Sequence, residues 1–283
     1  MHRRTFIQQT ALAGTGLFLA GQAGCTTAKP SAFGIQLYTL RDVLPGNAKN
    51  ILKEVASFGY TQIESYEGPE GMWWGMGPKD FKQFTNDLGL DVVSSHCAWD
   101  KDLDIKAAEA AEVGLKYLIC PYIGAQKSID DYKRFAESFT EAGKVCQKHG
   151  LKFAYHNHDY SFTALDGQIP QDVLLAGTDP KLVDFEMDMY WVVTAGQDPI
   201  ASMEKHPNRY RLCHIKDRGM GTGNDPKPES VTLGTGKIDY ATILQKATKM
   251  GMEYLIVEQE AYTGTTPLKS TADNAAYLKK IKI

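Results

Sequence analysis

A two-part unit that recurs from Phe33 to the C-terminus constrains this chain most: a short, continuously apolar run rich in β-branched and aromatic residues, then a helical period closed by glycine. The runs are FGIQLYT (33–39), YTQIESY (60–66), LDVVSSH (90–96), LKYLICPY (115–122), LKFAYHNH (151–158), LVDFEMDMY (182–190), YRLCHIKD (210–217) and EYLIVEQE (253–260). Their starts lie about 25 to 45 residues apart, the length of one strand, one helix and two short connections. Runs without polar alternation need cover on both faces, which a parallel sheet flanked by helices provides. Between them, NAKNILKEVASFG, PKDFKQFTNDLG, IKAAEAAEVG, DDYKRFAESFTEAGKVCQKHG and DYATILQKATKMG carry apolar residues at three- and four-residue spacing. Gly59, Gly89, Gly114, Gly150 and Gly251 stand where a left-handed helix end would precede the next strand. Eight such units predict a single α/β domain, a closed (β/α)8 or TIM barrel over residues 33–283. An open doubly wound sheet fits less well, and no glycine-rich dinucleotide turn follows the first run.

With 283 residues, 43% of them hydrophobic, the chain has apolar material for one sizeable core. A formal charge of −3 and no basic cluster beyond the N-terminus except the closing KKIK argue against nucleic acid as a partner. The opening MHRRTFIQQTALAGTGLFLAGQAGC has a basic start, an apolar stretch from Ala11 to Ala20 and small residues before Cys25, and reads as an export signal over 1–25. That apolar stretch is too short to span a bilayer as a mature helix. Arg3-Arg4 before Thr5-Phe6-Ile7 resembles the twin-arginine signal, which exports proteins already folded. Ala23-Gly24-Cys25 resembles a lipoprotein processing site, which makes Cys25 the candidate lipidation site and residues 26–32 a tether. The expected location is periplasmic or lipid-anchored in the bacterial cell envelope, with membrane contact only through that anchor. Cys97, Cys120 and Cys213 lie in strand-like runs and Cys146 on a helix, so buried free thiols are expected rather than a disulfide framework or a CxxC metal site.

Reactive residues of such a barrel stand at the C-terminal ends of its strands. The second and third runs end in Glu64 and His96, the fifth in His156, Asn157 and His158, and the sixth in Glu186 and Asp188. The seventh ends in His214, Lys216 and Asp217, and the eighth in Glu258 and Glu260. Histidines and carboxylates converging from neighbouring strands are the ingredients of a divalent-metal site with mixed nitrogen and oxygen ligands. Burying so many ionisable groups together is costly without a cation or mutual pairing. The loop EGPEGMWWGMG (67–77) places Trp73 and Trp74 among glycines, either as a lid with an aromatic face for a sugar ring or as a hydrophobic plug against the rim. Residues 218–234 are too long and polar for a simple connection and are expected to cover the same mouth.

GIQLYTLRD at the first strand, GYTQIESY at the second, HNH at the fifth, CHIKD at the seventh and the closing LGTGKIDYATILQKATKMGMEYLIVEQE resemble the sugar phosphate isomerase/epimerase family of xylose isomerase-like barrels. In that family one residue from each of strands five to eight holds the metal, usually Glu, Asp, His and Glu. Carried over by position, the resemblance implies His156, Asp188, His214 and Glu258, with His156 in place of the usual glutamate. It implies one divalent ion, Mn foremost, with Zn, Co and Fe compatible with two imidazoles and two carboxylates. It also implies proton abstraction next to a carbonyl of a small-molecule carbohydrate or keto-sugar. Glu258 would be the catalytic acid/base, with His158, His96 and Lys216 around the substrate oxygens. Glu64, Trp73, Trp74, Asn157 and Asp217 would bind substrate. Because His156 removes one of the two glutamates that move the proton in ketose epimerases, an enediolate route needs a substitute base: His158, His96, Lys216 or Glu186. A 3-keto-glycoside lyase or hydratase of the inosose dehydratase kind would use a histidine instead. A non-catalytic carbohydrate-binding lipoprotein is the reading from outside the enzymes.

Overall fold

The computed structural model of the protein describes residues 32–221, 227–281 and 283. The expected export signal, with Cys25, lies outside the described residues. Eight parallel strands close into a barrel: β1 (Gly34–Gln36), β2 (Gln62–Tyr66), β3 (Asp91–His96), β4 (Tyr117–Cys120), β5 (Lys152–His156), β6 (Val183–Asp188), β7 (Tyr210–Ile215) and β10 (Tyr254–Val257). Closure comes from β10, which pairs with β7 on one side and β1 on the other. Two short strands beyond β7, β8 (Asp217–Arg218) and β9 (Ser230–Val231), form an antiparallel ribbon.

The five helical stretches expected from periodicity are α1 (Ala48–Phe58), α2 (Pro78–Asp87), α3 (Leu103–Val113), α4 (Ile129–Lys148) and α8 (Tyr240–Lys249). Periodicity did not single out α5 (Pro170–Gly177), α6 (Met189–Thr194), α7 (Pro199–Lys205) or α9 (Pro267–Leu278). Gly59 at φ 93° and Gly114 at φ 107° end α1 and α3 in the left-handed conformation that other residues adopt only with strain. The longest helix, α4, starts in a capping box. Ser128 Oγ accepts from the Asp131 amide at 3.2 Å while the Asp131 carboxylate accepts from the Ser128 amide at 3.0 Å.

Strand alternation divides the apolar residues between two places. Outward-facing Phe153, Val183, Phe185, Met187 and Cys213 join the helices in the main core. Inside the barrel, a small cluster of Tyr117, Ile119, Ala154 and Leu212, with Tyr254 against it, fills the N-terminal end. Above it the lumen is lined by polar side chains, all buried: Gln36, Glu64, Ser94, His96, His156, Glu186 and His214. Branched aliphatic layers are the usual filling of such a barrel, so this polar layer marks the end at which chemistry is to be sought. The four cysteines among the described residues are free and buried, as expected.

Candidate metal centre at the barrel mouth

Strand register assembles the site. Gln36 lies beside Glu64, Tyr66 beside His96, His156 beside Glu186 and Asp188 beside His214 across neighbouring strands. The ladder is irregular at Ile63/Glu64 between β2 and β3 and at Phe185/Glu186 between β6 and β7. Both irregularities fall at a glutamate of the lumen, where a bulge re-aims a side chain that regular pleating would direct elsewhere.

Two groups of metal-type donors result, and they share His214. One comprises His96, His156, Glu186 and His214, the other Asp188, His214 and Glu258, and in each the donor atoms lie within 4.8 Å of one another. In the first, Glu186 Oε2 stands 2.8 Å from His96 Nε2, 3.1 Å from His156 Nδ1 and 3.3 Å from His214 Nε2. Glu64 Oε1 approaches the same nitrogens, 2.6 Å from His214 Nε2 and 3.2 Å from His96 Nε2. Gln36 Nε2 donates to Glu64 Oε1 at 2.8 Å and Ser94 Oγ donates to Oε2 at 2.6 Å, so that carboxylate is held from behind. In the second group, His214 Nδ1 lies 3.1 Å from Glu258 Oε2 and 4.0 Å from Asp188 Oδ2.

Lys216 stands within the second group. Its ammonium lies 2.8 Å from Asp188 Oδ2, 2.9 Å from Glu258 Oε2 and 2.5 Å from Glu260 Oε1, and over the rings of Tyr190 and Trp191 at 5.2 Å each. Only 1% of this residue is exposed. Burial disfavours its charge, but Asp188 and then Glu258 outweigh burial and hold the ammonium well above the usual lysine range. Burial likewise opposes ionisation of Glu258, and Lys216 with His214 nevertheless keeps its carboxyl well below the usual range.

The imidazoles differ. Burial, reinforced by His214 and His96, keeps His156 neutral far below the ordinary histidine range. Burial and then Lys216 push His158 down to about 3. For His96 burial acts against the proton, but Glu64 and Glu186 more than offset it, raising the imidazole to about 9. Burial and the Glu64 charge push Glu186 up to about 7, and its Oε1 is buried with no hydrogen-bond partner among the described residues.

A cavity of about 640 Å³ opens above this layer, walled by His96, His156, His158, Glu258 and Glu260 together with Tyr38, Tyr66 and Tyr122. A second cavity of about 560 Å³ shares Tyr122 and His158 with it and continues past Tyr160, Leu165 and Trp191. Of the residues expected at the substrate, His158, His96 and Glu258 line the first cavity, whereas Lys216 lies behind Glu258 and off its wall. Glu64 lies below, among the metal-type donors. The remaining expected substrate contacts are placed in structural roles. Asn157 braces β5 to β6, its side chain donating to the Asp188 carbonyl and accepting from the Asp188 amide at 3.2 Å each. Both oxygens of Asp217 are occupied by the amides of Arg218, Gly234, Gly236 and Ile238 at 2.8 to 3.1 Å. Trp73 and Trp74 are 5% and 3% exposed and donate to Glu109 and Ser65, so of the two readings of their loop the plug is the one the packing matches. Tyr38 and Tyr122, 40% and 60% exposed on the cavity wall, were not singled out in the sequence; their only signal there is an aromatic residue at or just past a strand end.

A family model described as xylose isomerase-like TIM barrel matches residues 52–281. An inosose dehydratase from Bacillus licheniformis is 25% identical over 189 residues, 59% of this chain and 61% of that protein. The chain therefore spans about three fifths of the length of that curated relative. A solved sugar phosphate isomerase/epimerase from Parabacteroides distasonis is 30% identical, covers 92% of this chain and 97% of its own, and superposes with a TM-score of 0.76. The structure of an IOLI protein with a zinc atom is 16% identical, covers 88% of this chain and 95% of its own, and superposes with a TM-score of 0.68, a likeness of fold alone.

Proposed function

The chain belongs to the xylose isomerase-like TIM barrel family, and on that premise we propose that it is a divalent-metal-dependent enzyme that moves a proton next to a carbonyl of a carbohydrate or keto-sugar, in the broad sense an isomerase or epimerase. The observation that carries this reading is the polar layer of the lumen. Buried imidazoles and carboxylates from different strands meet directly beneath a cavity large enough for a sugar. The donor chemistry fits a divalent ion such as Mn, with Zn, Co or Fe compatible, and the unpartnered Glu186 Oε1 is a buried acceptor for which a cation would compensate. When bound, the ion would polarise the substrate carbonyl.

The chain's own residues divide the remaining work. Glu258 is on the cavity wall and ionised, so it is the group to take the proton from the carbon beside the carbonyl and return it to the neighbouring carbon on the same face. Inversion at the same carbon needs a second proton donor on the opposite face, for which His96, on the same wall, is the candidate. Lys216 acts through Glu258, fixing its charge and orientation. His158 is neutral and its buried Nδ1 lacks a partner among the described residues, which suits it to hold a substrate hydroxyl. The test is incubation of the Mn-loaded protein with keto-sugars in deuterium oxide. Deuterium entering the carbon next to the carbonyl, followed by proton NMR and lost in Glu258→Gln, is the expected result. No exchange with any keto-sugar would refute the reading.

The second cavity favours a second reading, a 3-keto-glycoside lyase or hydratase on the same site. Two lobes that meet at Tyr122 and His158 give room for a second ring beyond the reacting one. Incubation with a 3-keto-disaccharide separates the two, because only the lyase frees the second sugar. Export to the cell envelope, with a lipid on Cys25, is part of the proposal and is tested by fractionating cells that express wild type and Cys25→Ala.

A further inference from the structure

We infer that the end of the barrel opposite the mouth docks on anionic phospholipid, with Lys116, Lys152 and Lys181 around a cavity that takes headgroup phosphate, so that the mouth opens away from the bilayer. The inference rests on the cell-envelope location proposed above and adds a second membrane contact to the lipid on Cys25.

Three observations lead to it. First, a cavity of about 400 Å³ spans the lower opening of the barrel, from the starts of β4, β5 and β6 to that of β10, and Lys116, Lys152, Lys181, Tyr117 and Tyr254 are on its wall. Backbone pairing sets the first two lysines side by side, the Lys152 amide donating to the Lys116 carbonyl at 2.9 Å. Lys116 and Lys181 are exposed, and neither ammonium has an ion-pair partner among the described residues. The carboxylates beside them are already taken. Asp184 Oδ2 accepts from the Tyr117 hydroxyl at 2.8 Å and lies 2.9 Å from Lys152 Nζ, and Glu253 on the wall is paired with Arg211.

Second, charge is sorted along the barrel axis. Acids stand in first helical turns, at the mouth end: Asp80 of α2, Asp104 of α3, and Asp130 and Asp131 of α4. Lysines stand in last turns, at the lower end: Lys148 of α4, Lys205 of α7, and Lys246 and Lys249 of α8. Helix dipoles favour both arrangements, but they give no reason for lysines at three successive strand starts. Asp87, Asp91 and Glu112 share the lower end but belong to the ends of α2 and α3 and the start of β3, off the cavity wall. Third, Phe33 leads into β1 at this same end, where its carbonyl accepts from the Thr61 amide at 3.2 Å. Cys25 precedes Phe33 by eight residues, which reach no more than about 28 Å fully extended. A lipid on Cys25 would keep the lower end within reach of headgroups, and near an anionic surface each lysine adds to binding.

The test is co-sedimentation of the full chain carrying Cys25→Ala, so that no lipid on the protein contributes, with phosphatidylcholine vesicles that contain phosphatidylglycerol. Binding is expected to fall by about 30-fold, about fivefold per lysine, when Lys116→Gln and Lys181→Gln are added. Both side chains are exposed, and circular dichroism checks that the fold is intact. On the vesicles, Lys116 and Lys181 should be shielded from acetylation, read by peptide mass spectrometry, while Lys79 and Lys127, exposed at the mouth end, stay reactive. Equal binding of the two proteins overturns the inference, as does shielding of Lys79 and Lys127 instead. Wild type found in the cytosol, with vesicle binding intact, overturns only the envelope location.

Discussion

His158 and His156 are one residue apart in the same wall, the first half-buried and the second buried, yet their surroundings assign them different work. His156 meets carboxylates, at 3.1 Å from Glu186. His158 stacks on Tyr160 with ring centroids 5.6 Å apart, and the nearby Lys216 charge opposes its protonation. The consequence is a pH signature. In the unfolded chain His158 binds a proton below the usual value of about 6.5, whereas in the fold it stays neutral down to about 3. Its contribution to stability is therefore present above pH 6.5 and is lost as pH falls towards 3. Urea unfolding at pH 7.5 and pH 5 should show wild type losing more stability than His158→Gln; equal losses would mean that the imidazole is not buried neutral. The sequence named both histidines because one rule, reactive groups at strand ends, applies to any barrel. Which nitrogen of His214 faces which carboxylate is a matter of ring orientation, and no spacing in the sequence encodes it.

At the scale of elements, the strands were legible because continuous apolar runs have few other uses, α1, α2, α4 and α8 because their amphipathic period is pronounced, and α3 because a run of alanine and glutamate closed by Gly114 marks a helix. Short α5, α6 and α7 carry too few turns for a period to stand out. Loops were the least legible. Trp73 and Trp74 beside glycines look the same in sequence whether the indoles roof a cavity or fill the space beneath it, and here tertiary packing with Phe81, Tyr66 and Ser65 decides. Asp217 is ambiguous in sequence for a related reason: a carboxylate at a strand end can face a ligand or gather the amides of its own loop, and here its oxygens accept from those amides. The local signals that did hold permit a plain estimate. Ser128→Ala removes the reciprocal cap of α4 and should cost about 1 kcal/mol in urea unfolding. No effect of Ser128→Ala on the midpoint would mean that Asp131 caps the helix unaided.

Across the whole molecule, the polar layer sits between the small apolar cluster at the lower end of the lumen and the open cavity above. Its mutual pairing is what holds it without an ion, and an ion that binds only the folded barrel adds stability by mass action. At a free concentration about 100 times its Kd, that gain is about 2.7 kcal/mol. Chelation should therefore lower the melting temperature by several degrees, and a single added equivalent of Mn or Zn should restore it; a melting temperature indifferent to both would argue against the ion. The Asp217 carboxylate, gathering amides from Arg218 to Ile238, has a different bearing. A methyl at Gly236 would come within 2.3 Å of Asp217, so this one aspartate and one glycine secure the loop at its base. Such a base is one of two anchors, the other being Ser230, which accepts from the amides of Glu260 and Ala261, and Pro228, whose carbonyl accepts from Tyr190. A lineage, or an engineer, that varies this connection keeps Asp217, Gly236 and Ser230 and has room at Met220, which is 66% exposed.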